Sequence, residues 1–247
     1  MLSNDNDRQA LREPFAGLVA SRSRWARLLD GALDLVFPPR CESCGRVDHV
    51  WCGRCLHTLE IEPVQTCKRH AEQMAVYSAG KHDGIVAQAI HAFKYQNATT
   101  LYQPLAARLA RVMADSGLQA DCIMPVPLHP RREAERGYNQ ASLMAWELAQ
   151  KTGIPARFDL LQRERHTGAQ VGLDRAGRLQ NVAGAFAAHP DSAGLRVVVV
   201  DDVSTSGATL WHCAAALQSA GATHIDGLTV TVADSAAVTD DSLRNSH

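Results

Sequence analysis

A run of four valines, two aspartates and a short loop of small residues constrains the fold of this 247-residue chain more than any other feature. The segment reads VVVVDDVSTSGATL and extends from Val197 to Leu210. Consecutive β-branched residues are typical of a strand that is buried on both faces, as in parallel sheets covered by helices. The small polar residues that follow predict a turn into a helix. The segment therefore predicts an α/β fold with this strand near its centre.

The loop after this strand has the chemistry of a phosphate site. Gly207 permits a close approach of the backbone to an anion, and the next helix presents the positive end of its dipole. Asp201 and Asp202 lie at the carboxyl end of the strand, where open α/β sheets bind ligands, and they suit ribose hydroxyls, directly or through Mg²⁺. Ordinary turn chemistry in a strand–turn–helix unit is the alternative interpretation. The candidate phosphate-binding residues are Ser204, Thr205, Ser206, Gly207, Ala208 and Thr209.

Strand and helix patterns alternate along much of the chain. Hydrophobic periodicity predicts strands over 74–79, 121–125, 196–203 and 223–232. It predicts helices over 85–95, 101–113, 138–152 and 209–220. Because strands separated by helices need crossover connections, we predict a mostly parallel sheet flanked by helices.

Four of the seven cysteines form two C-x2-C pairs ahead of these strands. Two nearby pairs of thiolates can close a tetrahedral site with no open position, so the spacing predicts a structural Zn²⁺. The pair Cys67 and His70 is either part of a second site or a surface pair, and the surface pair is favoured because two ligands cannot complete a tetrahedron. Cys122 and Cys213 lie in apolar segments and are predicted to pack in the core. The predicted zinc ligands are Cys41, Cys44, Cys52 and Cys55.

Two further segments are rich in arginine. The segment 125–141 reads PVPLHPRREAERGYNQA and is interpreted as a strand end, a turn and the start of a helix. Guanidinium groups at a second strand end suit the pyrophosphate of a ligand held by the first loop, or a DNA backbone. The segment 160–186 has few strong apolar positions and is interpreted as a mobile loop between short helices. The candidates for binding pyrophosphate or a DNA backbone are Arg131, Arg132 and Arg136 in the first segment, and the candidate site residues of the loop are Arg163, Gln170, Arg178 and Asn181 in the second.

Composition limits the classes of protein that fit. The formal net charge of -1 argues against a uniformly basic coat for nucleic acid, but not against a local basic groove. No stretch approaches the ~20 apolar residues that span a bilayer, and no apolar signal core is evident near the start, so we expect a cytoplasmic protein. We expect a flexible arm over 1–24, a helix with the cysteine module over 25–70, the α/β domain over 71–233 and a disordered tail over 234–247.

The ordered set of motifs resembles a known family. The segment from Val197 to Leu210 resembles the phosphoribosyl pyrophosphate (PRPP) signature of type I phosphoribosyltransferases. With the double C-x2-C, the Phe93-Lys94-Tyr95 segment, PVPLHPRREAERGYNQ and the R-x-R-x-T-x4-Q run, the chain from about residue 33 onward resembles the ComF/GntX family of competence protein F-like proteins. Many relatives carry additional C-x2-C pairs, where this chain keeps only Cys67 and His70. Whether this chain has a second metal site is therefore undecided from the resemblance.

The resemblance implies a type I phosphoribosyltransferase-like fold with a zinc module, and a role in the uptake or use of external single-stranded DNA. Competence helicase or recombination proteins would then be partners. PRPP or a nucleotide-like ligand would bind with Mg²⁺ at the phosphate loop, with Asp201 and Asp202 as catalytic acids. The protein is either an accessory that handles DNA or an active transferase with an unidentified nucleobase-like acceptor. Residues expected on the pyrophosphate or on a DNA backbone are Lys94, Arg131, Arg132 and Arg136.

Overall fold

The valine run forms one strand of a five-stranded sheet in the computed structural model, which describes residues 38–71, 74–163 and 185–233. The strands are β1 (Cys67–Ala71), β2 (Met74–Ser78), β3 (Cys122–Pro125), β4 (Leu161–Arg163), β5 (Phe186–Ala188), β6 (Arg196–Ser204) and β7 (His224–Val232). The helices are α1 (Gly53–Ile61), α2 (Gly84–Tyr95), α3 (Tyr102–Ser116), α4 (Pro130–Arg136), α5 (Gln140–Thr152) and α6 (Ala208–Ser219). None of the helices in these ranges is long and apolar enough to cross a membrane.

The sheet has the order β1-β2-β7-β6-β3. Strands β2, β7, β6 and β3 pair in parallel, and β1 pairs antiparallel with β2 at the edge. The sheet is therefore mostly parallel, and the carboxyl ends of its four parallel strands lie at one edge. The predicted strands and helices of this α/β unit are confirmed, with ends that differ by a few residues.

The central strand β6 is covered on both faces, as its unbroken valine run predicts. Val198 and Val200 pack on one face of the sheet, while Val197 and Val199 pack on the other, and all four are at most 1 % exposed. This alternation follows from the period of two in a strand. Two apolar layers result, one on each side of the sheet.

Helices α2, α3 and α5 form the first apolar layer. Phe93, Leu105, Leu109 and Met144 from these helices are fully buried against the sheet. Burial of a large apolar side chain contributes about 1.5–3 kcal/mol, so this layer supplies much of the stability. Its helix α2 is also the element that carries Lys94.

The second layer consists of α6 and the β4–β5 hairpin. Cys213 and Leu217 of α6 pack against Cys122 of β3 and Phe186 of β5. Cys122 and Cys213 are buried, so their prediction as core residues is confirmed.

The cysteine module joins the first layer through α1. Leu59 of α1 is fully buried in the same core as Phe93. The buried guanidinium of Arg108, on α3, donates hydrogen bonds to the carbonyl oxygens of Leu59, Glu62 and Pro63 at 3.4, 2.8 and 3.0 Å. These carbonyls have no partner within the helix, so Arg108 caps the end of α1 and fixes the module to α3.

Three local predictions are wrong or incomplete. The segment with Arg131, Arg132 and Arg136, interpreted as a turn, is the helix α4. The segment 160–186 is bounded by the antiparallel strands β4 and β5 rather than by short helices. Cys67 lies in the unpredicted strand β1, which runs across the expected boundary at residue 70. The expected arm, the helix before residue 38 and the tail lie outside the described residues.

Candidate ligand site and metal centre

The carboxyl ends of β6 and β2 bring two loops to the same edge of the sheet. Strand β6 continues through both aspartates, and only residues 205–207 separate it from α6. The segment after β2 returns along the same edge, where Lys81 forms a parallel bridge with Val232 of β7. The acidic pair, the hydroxyl-rich loop and the start of α6 therefore lie together.

Lys94 reaches this edge from the last turn of α2. Its ammonium nitrogen lies 2.6 Å from Oδ1 of Asp202, and the two side chains are only 20 % and 10 % exposed. Burial opposes the charge of Lys94, but the carboxylate of Asp202 outweighs it, so the pKa of Lys94 lies above its ordinary value. The structure thus brings Lys94, predicted on the pyrophosphate, into contact with the acidic pair.

Asp201 has an unusually high pKa for a carboxyl group. Burial, together with the negative charge of Asp202, raises its pKa to about 7 against the opposing charge of Lys94. Its Oδ1 accepts a hydrogen bond of 2.8 Å from the backbone N–H of Asp202. When both carboxyl groups are ionised they carry one more charge than Lys94 neutralises, so a bound cation would favour the ionised form of Asp201.

The donor set of this pair fits Mg²⁺. This ion prefers carboxylate, water and phosphate oxygens, and it is bound in proteins by one or two carboxylates together with a phosphate ligand. The raised pKa of Asp201 comes from placing negative charge in a poorly hydrated position, and a divalent cation would reverse that effect. Asp201 and Asp202 are therefore the residues that would hold Mg²⁺.

The loop between β6 and α6 has the features of an anion site. Gly207 immediately precedes α6 with a φ of +76°, a conformation that favours glycine. The Ser204 side chain is buried, Thr205 is exposed, and the Ser206 hydroxyl accepts a hydrogen bond of 3.4 Å from the Ala208 N–H. Hydroxyl and amide groups thus gather at the positive end of a twelve-residue helix.

Arg163 interacts electrostatically with both Asp201 and Arg132, a predicted arginine of α4. Arg163, at the end of β4, lies 5.3 Å from the ring centroid of Phe186. Burial and the positive charge of Arg132 lower the pKa of Arg163, while the negative charge of Asp201 raises it. Because such influence fades over several ångströms in a hydrated protein, Arg163 lies within electrostatic range of both Arg132 and Asp201.

The other two arginines of α4 have different partners. Nε of Arg131 lies 3.0 Å from Oε1 of Glu135, and both side chains are well exposed. Arg136 donates to the side-chain oxygen of Gln140 at 3.0 Å and lies 5.3 Å from the ring centroid of Tyr95, at the end of α2. The remaining candidates Gln170, Arg178 and Asn181 lie outside the described residues.

His82 is a neighbour of the site that no sequence motif identifies. Its Nδ1 lies 2.8 Å from Oγ1 of Thr231 on β7. Partial burial and the charge of Lys94 lower the pKa of His82, while Asp202 raises it. A lone histidine has no recognisable spacing, and the only available signal is its place just after a strand that ends at the ligand edge.

The four predicted zinc ligands come together in space. The sulfur atoms of Cys41, Cys44, Cys52 and Cys55 all lie within 4.8 Å of one another, and those of Cys44 and Cys52 are 3.6 Å apart. Sulfurs bound to zinc at ~2.3 Å would be separated by about 3.8 Å. Gly45, with a φ of +71°, turns the first pair back toward the second. The cluster has the composition and size of a structural zinc site.

The thiols of this cluster differ in their tendency to ionise. Burial raises the pKa of Cys41, but backbone N–H groups, including that of Cys52 at 3.5 Å, outweigh it and lower the value to about 6. Burial raises the pKa of Cys55 to about 12. A zinc ion would favour deprotonation of every ligand, because the thiolate is the form that binds metal.

The cysteine module matches a family model described as "Double zinc ribbon domain" over residues 32–87. We call this module the zinc ribbon, and within the described residues it comprises positions 38–66. The match and the clustered cysteines support a structural Zn²⁺.

The α/β part also matches solved structures, and one match is an amidotransferase. Glutamine phosphoribosylpyrophosphate (PRPP) amidotransferase from B. subtilis is 26 % identical, over 52 % of this chain and 26 % of that chain, with a TM-score of 0.37. The mostly parallel sheet, its flanking helices and the zinc ribbon agree with the predicted α/β fold class with a zinc module.

Two curated relatives cover most of the chain. "Competence protein F" of Haemophilus influenzae is 30 % identical over 195 residues, which are 76 % of this chain and 82 % of that protein. "DNA utilization protein YhgH" of Salmonella typhimurium is 29 % identical over 193 residues, which are 74 % of this chain and 78 % of that protein. With the zinc ribbon and the ordered motifs in place, this chain belongs to the competence protein F (ComF) family.

Proposed function

We propose that this protein binds PRPP, or a related phosphate-bearing ligand, together with Mg²⁺ at the edge formed by Asp201, Asp202 and the loop over 204–209. The observation that carries the proposal is the contact of 2.6 Å between Lys94 and Asp202, which brings a buried cation and two carboxylates beside a hydroxyl-rich helix start. A ligand with both phosphate and vicinal hydroxyl groups uses all of these elements at once.

The parts of the ligand have separate places in this proposal. The 5-phosphate binds the hydroxyl and N–H groups of the loop, because the start of α6 favours an anion. The ribose hydroxyls and Mg²⁺ bind the acidic pair. Lys94, Arg132 and Arg163 supply positive charge for the pyrophosphate, and Arg131 has a lesser role because it faces solvent beside Glu135.

Isothermal titration with Mg²⁺ and PRPP tests this assignment. The wild-type chain binds, and the double variant Asp201→Asn with Asp202→Asn loses binding, because neutral amides hold neither Mg²⁺ nor the ribose as strongly. Asp226→Asn is a matched control, since Asp226 is a buried carboxylate of β7 paired with His224 rather than with Lys94. Absence of binding to the wild type at millimolar PRPP would contradict the proposal.

We further propose that the ligand site serves a protein that handles external single-stranded DNA. Support comes from the printed names of the two relatives, one a competence protein and the other a DNA utilization protein. The exposed Arg131, the half-buried Arg132 and Arg136, and the adjacent Tyr95, which is 65 % exposed, offer a local basic and aromatic surface. We expect the chain to bind single-stranded DNA in a salt-dependent manner. This binding should weaken when Arg131, Arg132 and Arg136 are replaced by alanine. Binding that ignores these changes would contradict this surface.

Phosphoribosyl transfer is a second candidate, favoured by the positive charge of Lys94, Arg132 and Arg163 beside the acids. Such charge stabilises pyrophosphate as it leaves. Because the transfer passes through an oxocarbenium-like state, it needs no protein nucleophile. Release of pyrophosphate from PRPP in the presence of nucleobases, lost in Lys94→Ala, would establish an enzyme. Binding of PRPP without such release would leave the accessory role.

A further inference from the structure

The zinc ribbon lies along α2, the helix that supplies Lys94 to the ligand site. Ile85, in the first turn of α2, packs against Cys41, Cys52 and Cys55. The side chain of Glu42 contacts the last turn of α2, and Glu42 directly follows the predicted zinc ligand Cys41. The ribbon therefore contacts α2 near both of its ends.

Glu42 contacts the last turn of α2 at two points. Its Oε1 lies 3.0 Å from Nδ1 of His91, and its Oε2 accepts a hydrogen bond from the side-chain amide of Gln96. Gln96 is the C-cap residue that follows α2, and its backbone N–H donates to the carbonyl oxygen of Ala92. A single carboxylate thus joins the side of the helix to its end.

The same turn of α2 carries Lys94. His91 and Lys94 are three residues apart, so they lie in neighbouring positions on the helix surface. Lys94 is held by Asp202 at 2.6 Å, while His91 is held by Glu42 at 3.0 Å. The final turn is therefore fixed between the zinc ribbon and the acidic pair.

The position of Glu42 is set by the ribbon backbone. The backbone N–H of Glu42 donates to the carbonyl of Val50 at 3.3 Å, and the N–H of Cys41 donates to that of Arg46 at 2.8 Å. The side chain of Glu42 is only 27 % exposed, although it belongs to a small surface module. Zinc ligation at Cys41 and Cys52, on the two sides of this hairpin, would hold Glu42 in place.

We propose that the zinc ribbon positions Lys94 for ligand binding through Glu42, so that Glu42 is a positioning residue of the phosphate site. The ribbon then has a role beyond stabilising its own fold. This inference rests on the proposed function, because it requires a ligand that Lys94 helps to bind. It assigns no contact between Glu42 and the ligand itself.

The test measures the affinity for Mg²⁺ and PRPP in Glu42→Ala and Glu42→Gln. The alanine variant removes both contacts to α2, and its Kd is expected to rise about fivefold, the size of a typical coupling between neighbouring residues. The glutamine variant keeps one acceptor oxygen and recovers part of this loss. Glu60→Ala is the matched control, since Glu60 is an exposed carboxylate of α1 in the same ribbon, and its Kd stays at the wild-type value.

A second background separates positioning from a general loss of structure. In Lys94→Ala, a further Glu42→Ala change is expected to alter the Kd less than twofold, because the group that Glu42 positions is already absent. The zinc content and melting temperature of each variant are measured alongside. An equal loss in both backgrounds, loss of zinc from Glu42→Ala, or a Kd equal to that of Glu60→Ala would overturn the inference. Lack of PRPP binding by the wild type would instead overturn the proposed function.

Discussion

The charge balance at the proposed ligand site depends on the side chains of Lys94, Asp201 and Asp202. Lys94 is paired with Asp202, and Asp201 keeps a raised pKa of about 7 because it is buried beside that second carboxylate. The consequences are measurable without any ligand.

The pH dependence of stability reports on Asp201. Its folded-state pKa of about 7 is above the ordinary value of 3.8, so the folded chain keeps a proton that the unfolded chain releases. The stability that this proton provides is present below about pH 4 and is lost as the pH rises through 7. Between pH 5.5 and 7.5 we expect the wild type to lose more unfolding free energy than Asp201→Asn, as measured by urea denaturation. Equal slopes in the two proteins would show that Asp201 has no raised pKa.

Lys94 also contributes to stability. Its removal leaves two carboxylates without their closest cation, and breaking a largely buried pair costs about 3 kcal/mol. We expect Lys94→Ala to lower the unfolding free energy by that amount at pH 8. Lys151→Ala, which breaks a more exposed pair with Glu147 on α5, should cost less than about 1 kcal/mol. Similar losses in both variants would argue against a special role for the buried pair.

Individual site residues differ in how far sequence could identify them. Asp201, Asp202 and the loop follow a valine run and stand in a recognisable order, whereas Lys94 depends on the family-like Phe93-Lys94-Tyr95 segment. Glu42 and His82 have no such pattern, because their roles arise from contacts with residues 49 or more positions away in sequence. Only the folded chain brings these partners together.

At the scale of elements, burial determined what sequence could predict. The long helices and β6 each bury a periodic apolar face, and their prediction is confirmed. Helix α4 buries no side chain, so its sequence PRREAER has no apolar period to detect. Strands β4 and β5 have three residues each, and β1 is a polar edge strand with the sequence CKRHA. Such elements depend on pairing with distant partners.

The junction between α1 and α3 provides a test at this scale. Arg108→Met keeps an apolar stem but removes the donors to three carbonyl groups at the end of α1. We expect a loss of roughly 3 kcal/mol of unfolding free energy, because buried carbonyls are left unsatisfied. Arg111→Met, on the exposed side of the same helix, should change stability by less than about 0.5 kcal/mol. Equal denaturation midpoints for the two variants would contradict the capping role of Arg108.

At the scale of the whole molecule, the zinc ribbon and the α/β sheet share one apolar core. Leu59 of the ribbon packs with Phe93, and Cys41 and Cys52 pack with Ile85 of α2. Loss of the metal should therefore affect more than the ribbon. The sequence indicated the zinc ribbon from the spacing of its cysteines, but the shared core follows only from the tertiary contacts.

Removal of zinc is expected to lower the melting temperature of the entire chain. One zinc per chain should be lost on treatment with a chelator or in Cys44→Ser, since ligation and folding of such modules are coupled. The melting temperature followed by circular dichroism should fall by more than about 5 °C, and added Zn²⁺ should restore it in the chelated wild type but not in the variant. An unchanged melting curve of the zinc-free chain would contradict the shared core.

The proposed function requires that a phosphate ligand binds at the carboxyl ends of the parallel strands. The most direct measurement is a crystal structure of the protein with Mg²⁺ and PRPP. We expect the 5-phosphate on residues 204–209 at the start of α6, the ribose and metal at Asp201 and Asp202, and the pyrophosphate beside Lys94 and Arg132. A ligand located elsewhere, or an empty edge at saturating PRPP with the Lys94–Asp202 pair intact, would contradict it.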